Sequence, residues 1–291
     1  MKKNLNLTAY VLLLPALLLF CVFTLYPLLS GLVISFFDWD GFKEMSFVGI
    51  DNYKRILADS QFRNAFLNNI KYACGAVVGK ISISLIIALL LNRKFKGLTF
   101  FRAIYFLPVV LSYVAVGALW QRIYDPVLGL LNVFLLQVGI ISKPIGWLAD
   151  PKLALWALVA VDVWKWVGYH AVLFLAGLQT ISTDYYEAAD IDGASMIQKF
   201  RYITIPQLKP IIYMNITIAL MGAFSVFDIV FIMTGGGPYR STEVILTYMY
   251  EKSFAGANTN LGFGSAVAYL LFSVILIITI FQTRSMNKAE T

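Results

Sequence analysis

Six separate runs of apolar residues, at about 8–37, 69–91, 103–120, 153–181, 207–233 and 262–282, govern what this chain can fold into. A helix rises ~1.5 Å per residue and the hydrocarbon core of a bilayer is ~30 Å thick, so about 20 such residues cross it once. Inside hydrocarbon each backbone N–H and C=O must be satisfied within its own segment, so every run reads as a helix. The expected fold is an all-α integral membrane protein, a single transmembrane domain over 1–291 with six transmembrane helices. Composition agrees, since 59% of the 291 residues are apolar and 13% charged, with mean hydropathy +0.76, too greasy for a water-soluble globule. Lys2 and Lys3 ahead of the first run imitate a signal peptide. That run is about twice an ordinary signal's apolar region and lacks a small-residue cleavage pattern, so it reads as a retained anchor. Pro15 and Pro27 predict kinks in it.

Several function classes drop out. The net charge of +7 comes from Lys and Arg scattered through short loops, with no stripe or motif suited to nucleic acid, so basic loops facing anionic lipid explain it better. Cys21 and Cys74 each lie alone in an apolar run and imply no disulfide. His170 is the sole histidine, which leaves neither a metal site nor a catalytic triad and points to helix packing. Gly79-Lys80 is followed by Ile81, so no phosphate-binding loop is present and the chain cannot itself be an ATPase. His-Glu-x-x-His and Gly-x-Ser-x-Gly are absent too.

Residues 38–68 read as an ordered extramembrane loop. Between the second and third runs, Arg93, Lys94, Lys96 and Arg102 stand without an acidic neighbour, the clearest cytoplasmic signal in the chain. Alternating from there places both termini and residues 182–206 in the cytoplasm, with loops 121–152 and 234–261 outside. The latter opens on Thr234-Gly235-Gly236-Gly237-Pro238, a backbone-permissive turn.

Ionisable groups within a span are costly and are functional candidates. Asp162, Lys165, Trp166 and Tyr169 recur at helical spacing and would share one face of the fourth run. Aromatic rings beside hydrogen-bonding groups suit a sugar, whose axial hydrogens stack while its hydroxyls need partners. The alternative is a self-neutralising Asp162–Lys165 pair flanked by interfacial aromatics. The fifth run adds Asn215, Ser225, Phe227 and Asp228 as candidate ligand contacts, with Asp228 close enough to the outer end to snorkel. Lys80 reads as the partner of some other helix.

Between the fourth and fifth runs lies a patterned polar stretch, Asp184 to Pro206. Asp184-x-x-Glu187 has capping-box spacing, Ala188 and Ala189 favour helix, and Gly193 can end it in a left-handed turn. Met196, Phe200 and Ile203 then form an apolar stripe, and Pro206 starts the next span. Small alanines let another surface come close.

The spacing Glu187-Ala188-Ala189, Gly193, Ile203, Ile205-Pro206 resembles the EAA signature of ABC-importer permeases, with Ile205 where many members have Leu. Phe106-Leu107-Pro108, Gly129-Leu130-Leu131-Asn132, Leu175-Ala176-Gly177-Leu178-Gln179 and Thr234 to Pro238 are similar to the carbohydrate-uptake subfamily, in its maltose and glycerol-phosphate type, first permease of a pair. The resemblance implies six spans and a cytoplasmic coupling helix docking in a cleft of an ATPase through Tyr186, Glu187, Ala188, Ala189, Asp190, Asp192, Gly193, Ile203 and Pro206. It implies as partners a second permease subunit, two ATPase subunits that bind ATP and Mg, an extracytoplasmic solute-binding protein and a sugar. No cofactor belongs to this chain, and its place is a bacterial or archaeal cytoplasmic membrane. Trp164 and Tyr169 match the family's aromatic pattern before the EAA loop, whereas Asp162 and Lys165 depart from a more neutral maltose-type site and suggest an unusual or acidic sugar. Two rivals are a secondary transporter driven by an ion gradient through Asp162, Lys165 and Asp228, and an interfacial membrane enzyme, for which no nucleophile or metal cluster is evident.

Overall fold

The computed structural model describes residues 7–92, 96–255 and 259–290. Lys2, Lys3, Arg93 and Lys94, on which part of the orientation reading rests, lie outside the described residues. Helices α1 (Leu7–Phe20) and α2 (Tyr26–Ile34) join through a π-type turn at Cys21–Leu25. Pro15 lies inside α1, and Pro27 falls in the first turn of α2. A short antiparallel ribbon, β1 (Phe37–Asp38) with β2 (Ser46–Phe47), sets Phe37 opposite Phe47 and leads into α3 (Asp51–Ala58).

Helix α4 (Ser60–Leu91) follows, then α5 (Leu98–Val110), α6 (Tyr113–Ile123), α7 (Leu130–Gln137) and α8 (Ala154–Gln179). The polar stretch forms α9 (Thr183–Ile191) and α10 (Met196–Lys199), and a π-type turn at Phe200–Thr204 runs into α11 (Ile205–Phe224). Helices α12 (Asp228–Met233), α13 (Ile245–Tyr250) and α14 (Leu261–Glu290) complete the order.

Among the described residues four helices are long and apolar enough to cross a membrane, at 10–34, 60–91, 154–179 and 261–284. The third and fifth predicted spans are not continuous helices. In the third, α5 and α6 meet at 100°. Leu111 is extended there (φ −72°, ψ 141°), and Ser112 caps α6 by accepting from the Ala115 amide at 3.3 Å. In the fifth, α11 stops at Phe224 and the chain restarts as α12 after Phe227 (φ −138°, ψ −61°). Neither Pro nor Gly occupies residues 225–227, so composition does not announce this break.

The second predicted span also begins earlier than expected, because residues 60–68 are helical. Asn64, Asn68 and Asn69 give the reason. Asn64 and Asn68 donate to the Arg240 carbonyl at 2.9 and 3.1 Å, and Asn68 also donates to that of Glu243 at 3.1 Å. Asn69 donates to the Ala223 carbonyl (3.2 Å) and accepts from the Ile245 amide (3.2 Å). One helix face thus satisfies both backbone that follows the triple-glycine turn and a carbonyl at the end of α11.

The chain divides into two compact units. One contains the chain up to Phe62 together with Tyr248–Ser273. In it Tyr248 donates to Asp59 (2.6 Å), Asn260 donates to Asp38 (2.6 Å), and the absent Cβ of Gly262 lets the Phe37 carbonyl approach to where that atom would sit. The other contains Arg63–Thr247 and the chain from Val274 onward. Its centre is α8, packed on α5, α11 and α12. The Tyr105 carbonyl comes so near Gly168 that a Cβ there would lie 1.9 Å from it, the small-residue contact that brings α5 backbone onto α8. Ala171, Phe174, Leu175 and Leu178 of α8 join Ile87, Leu91 and Leu208 in an apolar core.

Candidate functional site

One turn after another, α8 carries polar groups into this unit, and each finds a partner on a different helix. Asp162 Oδ2 lies 2.7 Å from Lys80 Nζ of α4, with both side chains about 5% exposed or less. Both ions lose water there, and direct contact offsets that loss. Lys165 Nζ donates to the carbonyls of Pro108, Val109 and Leu111 at 3.1, 3.2 and 2.6 Å. The end of α5 leaves the Val109 and Leu111 carbonyls without helical partners, while that of Pro108 also accepts from the Leu111 amide at 3.3 Å, so the ammonium caps the broken span where water cannot. It also sits 4.9 Å from the centre of the Tyr113 ring and 5.6 Å from that of Trp166.

Trp166 Nε1 donates to Tyr113 Oη at 2.7 Å. His170 Nδ1 lies 2.8 Å from Asn215 Oδ1, while Asn215 Nδ2 donates to the Ile211 carbonyl at 3.0 Å. The second bond fixes the amide's orientation, and an amide oxygen only accepts, so Nδ1 carries the histidine's proton.

A cavity of ≈ 130 Å³ opens beside this network. Lys80, Tyr113, Asp162, Trp166 and His170 form one wall. The other is made by α11 (Ile218, Ala219, Gly222), the break after it (Ser225, Val226, Phe227) and the start of α12 (Asp228, Ile229). The interruption of the fifth run thus places polar backbone and Ser225 on the cavity, where irregular chain is tolerated in a membrane.

Of the residues expected to contact a ligand, Asp162, Trp166, Ser225, Phe227 and Asp228 border the cavity and Lys165, Tyr169 and Asn215 do not. The single face proposed for 162, 165, 166 and 169 is therefore split. Lys165 turns to the α5 carbonyls, and Tyr169 packs edge-on against Trp166 and His170 at ring-centre distances of 5.8 and 5.5 Å. The alternative Asp162–Lys165 pair is not formed, because each prefers a partner on another helix. Trp164 packs edge-on against Trp120 at 5.4 Å. Lys80, Tyr113 and His170 were not assigned to the site by sequence reasoning. Lys80 had a visible signal, a lysine within an apolar run, and Tyr113 had none.

The polar stretch is built differently. Helix α9 has no buried residue, and Glu187, Ala188 and Asp192 are exposed. Its cap is Ser182, which accepts from the Asp184 amide at 3.3 Å, so Asp184 and Glu187 do not form the expected capping box. The box occurs one helix later, where Ser195 and Gln198 exchange backbone-to-side-chain bonds at 2.7 and 3.4 Å. Gly193 holds φ +74°, the left-handed conformation expected of it. Tyr186 Oη meets Thr204 Oγ1 at 2.9 Å, and Asp190 pairs with Lys199, tying α9 to the entry of α11. Along the expected stripe Met196 is exposed, Phe200 and Ile203 are half-buried, and Pro206 lies in the first turn of α11.

Comparison with known proteins places this architecture. Residues 80–288 match the family described as "Binding-protein-dependent transport system inner membrane component". The chain is 36% identical over 284 residues to the probable ABC transporter permease protein YurN of Bacillus subtilis (strain 168), covering 97% of this chain and 96% of that one. It is 35% identical over 272 residues to the trehalose/maltose transport system permease protein MalF of Thermococcus litoralis, covering 93% and 90%. Among solved structures, a bacterial ABC transporter involved in the import of the acidic polysaccharide alginate superposes with a TM-score of 0.86 at 24% identity, over 97% of this chain and 96% of that one. This chain belongs to the binding-protein-dependent transport system inner membrane components, the permease subunits of ABC transporters.

Proposed function

We propose that this chain is one of two permease subunits through which an ATP-driven importer carries a sugar or oligosaccharide across the cytoplasmic membrane, with both termini in the cytoplasm. The observation that carries the reading is α9, an exposed helix with no buried residue that is tied by Tyr186–Thr204 and Asp190–Lys199 to the segment leading into α11. A helix exposed on this scale, bearing Glu187, Ala188 and Ala189, suits docking against an ATPase subunit. An exposed ion pair at Glu187 would contribute only about 0–1 kcal/mol, so packing against the alanines and the Met196 stripe must supply most of the docking. Closure of an ATPase dimer on ATP and Mg would move α9 as a rigid body and carry α8 and α11 with it.

Both helices line the cavity, so displacing α9 reshapes it. Its ≈ 130 Å³ falls below the ~300–1,000 Å³ of a complete small-molecule site, which fits one wall of a path completed by a second permease. Trp166, Tyr113 and Phe227 offer ring faces beside Ser225, Asp162 and Asp228, the mixture a saccharide needs, and the MalF relative is named for trehalose and maltose. A solute-binding protein would deliver the sugar from outside. A gradient-driven relay has less support, because Lys165 is engaged by three carbonyls and Asp162 by Lys80.

The test is to co-purify the chain with the products of its neighbouring genes and measure which sugars, with the binding protein present, stimulate ATP hydrolysis. Stimulation by a defined sugar is expected. Uptake that survives ATP depletion and collapses with the ion gradient would contradict the reading.

A further inference from the structure

Four charged groups lie in or beside the cavity, and three of them are engaged by the protein itself. Lys80 and Asp162 neutralise one another at 2.7 Å, both almost wholly buried. Lys165 is spent on the carbonyls of Pro108, Val109 and Leu111, and its residue is only 2% exposed. Asp228 differs from all three. It borders the cavity, is exposed, and forms no ion pair among the described residues. A solute reaching this wall therefore meets a single accessible charge, and that charge is negative.

We propose that Asp228 is a specificity residue that fixes the sign of the solute, admitting neutral and amino sugars and rejecting those that carry carboxylate or phosphate. The proposal rests on the reading of this cavity as a sugar-contacting wall, and it reverses the acidic-sugar expectation that Asp162 and Lys165 raise when taken from sequence. Those two charges depart from a neutral site in composition but not in effect, since each is cancelled or capped before a ligand arrives. Asp228 accepts hydrogen bonds from hydroxyl or ammonium donors, whereas a carboxylate brought beside it offers no donor and meets like-charge repulsion at close range. Discrimination of this kind comes from a repulsive element as much as from an attractive one. The adjacent Phe227 ring, stacked on Phe231 at 5.1 Å, supplies an apolar face that any hexose can use, so the rings set sugar character and the carboxylate sets charge.

Three trisaccharides of similar size, one neutral, one cationic and one anionic, provide the probe, namely cellotriose, fully deacetylated chitotriose and trigalacturonate. Each is titrated against the purified permease–ATPase complex in detergent, without binding protein, and ligand-observed saturation-transfer NMR reads its apparent affinity. Wild type is expected to bind the neutral and amino trimers in preference to trigalacturonate. Asp228→Lys should move the anionic-to-cationic affinity ratio by about tenfold or more, and Asp228→Asn by a smaller factor in the same direction. Co-elution of all subunits at wild-type stoichiometry checks assembly. A ratio that stays within about twofold in both variants, or wild-type preference for trigalacturonate, would overturn the proposal while leaving the sugar reading intact. Loss of the second permease on Asp228→Asn would also overturn it, by making Asp228 a contact between subunits. Absence of any signal from all three trimers in all three forms would instead remove the sugar reading beneath it.

Discussion

The wall of α8 and the exposed helix α9 are adjacent in sequence and opposite in construction. On α8 each buried ionisable side chain is matched inside the protein: Asp162 to Lys80, Lys165 to the end of α5, His170 to Asn215. On α9 the acidic face has few internal partners, and Glu187 and Ala188 stand open. Where water is absent an unmatched group is too costly to keep, so the buried network is self-sufficient and structural as much as functional. Where water is present an unmatched face carries little penalty and is free to await another protein. Substitutions should therefore act on stability in the first region and on coupling in the second.

The largest effect belongs to the buried ion pair. Lys80→Met alone leaves the Asp162 carboxylate buried without its counter-ion, and a loss of about 3–5 kcal/mol is expected, read as a large fall in the melting temperature or yield of detergent-solubilised protein. The double substitution Lys80→Met with Asp162→Leu should recover most of that loss. Equal damage from single and double variants would break the claim that the pair is matched internally.

Next in size is Lys165→Met, which keeps the volume of the stem but removes the ammonium donor from the carbonyls at the end of α5, leaving those of Val109 and Leu111 unmatched. A destabilisation of about 1–3 kcal/mol is expected in the same melting assay. A melting temperature equal to wild type would show that α5 ends without help and that Lys165 is available to solute.

Smallest in stability, and most informative about the contrast, is Glu187→Lys. A fully exposed substitution away from caps and packing should change stability by no more than about 0.5 kcal/mol. Uptake by cells carrying it should nonetheless be lost. A melting shift as large as that of Lys165→Met would mean that α9 belongs to the self-matched interior after all.

Sequence made the exposed region more legible than the buried one, and the reason is physical. Gly193 in a left-handed turn, Pro206 opening α11 and the helix–turn–helix order are local facts, dictated by backbone chemistry within a few residues. Even there Ser182 took the cap from Asp184, since Ser and Asp cap comparably and neighbouring context decides. The buried network depends on pairings far apart in sequence, such as Lys80 with Asp162 and Lys165 with residues 108–111, which helical spacing along one segment cannot reveal. The same limit hid the broken spans. Apolar runs 103–120 and 207–233 read as unbroken because hydropathy does not register a helix end that a distant ammonium caps or that opens onto a cavity.

The claim that α9 is where ATP chemistry is transmitted to the sugar wall is tested most directly by one comparison. Sugar-stimulated ATP hydrolysis is measured in the purified complex with its binding protein, for wild type and Glu187→Lys at equal subunit content. Stimulation by a sugar in wild type, and its loss in Glu187→Lys while the complex still melts as wild type does, is the expected result. Undiminished sugar stimulation in the variant would contradict it.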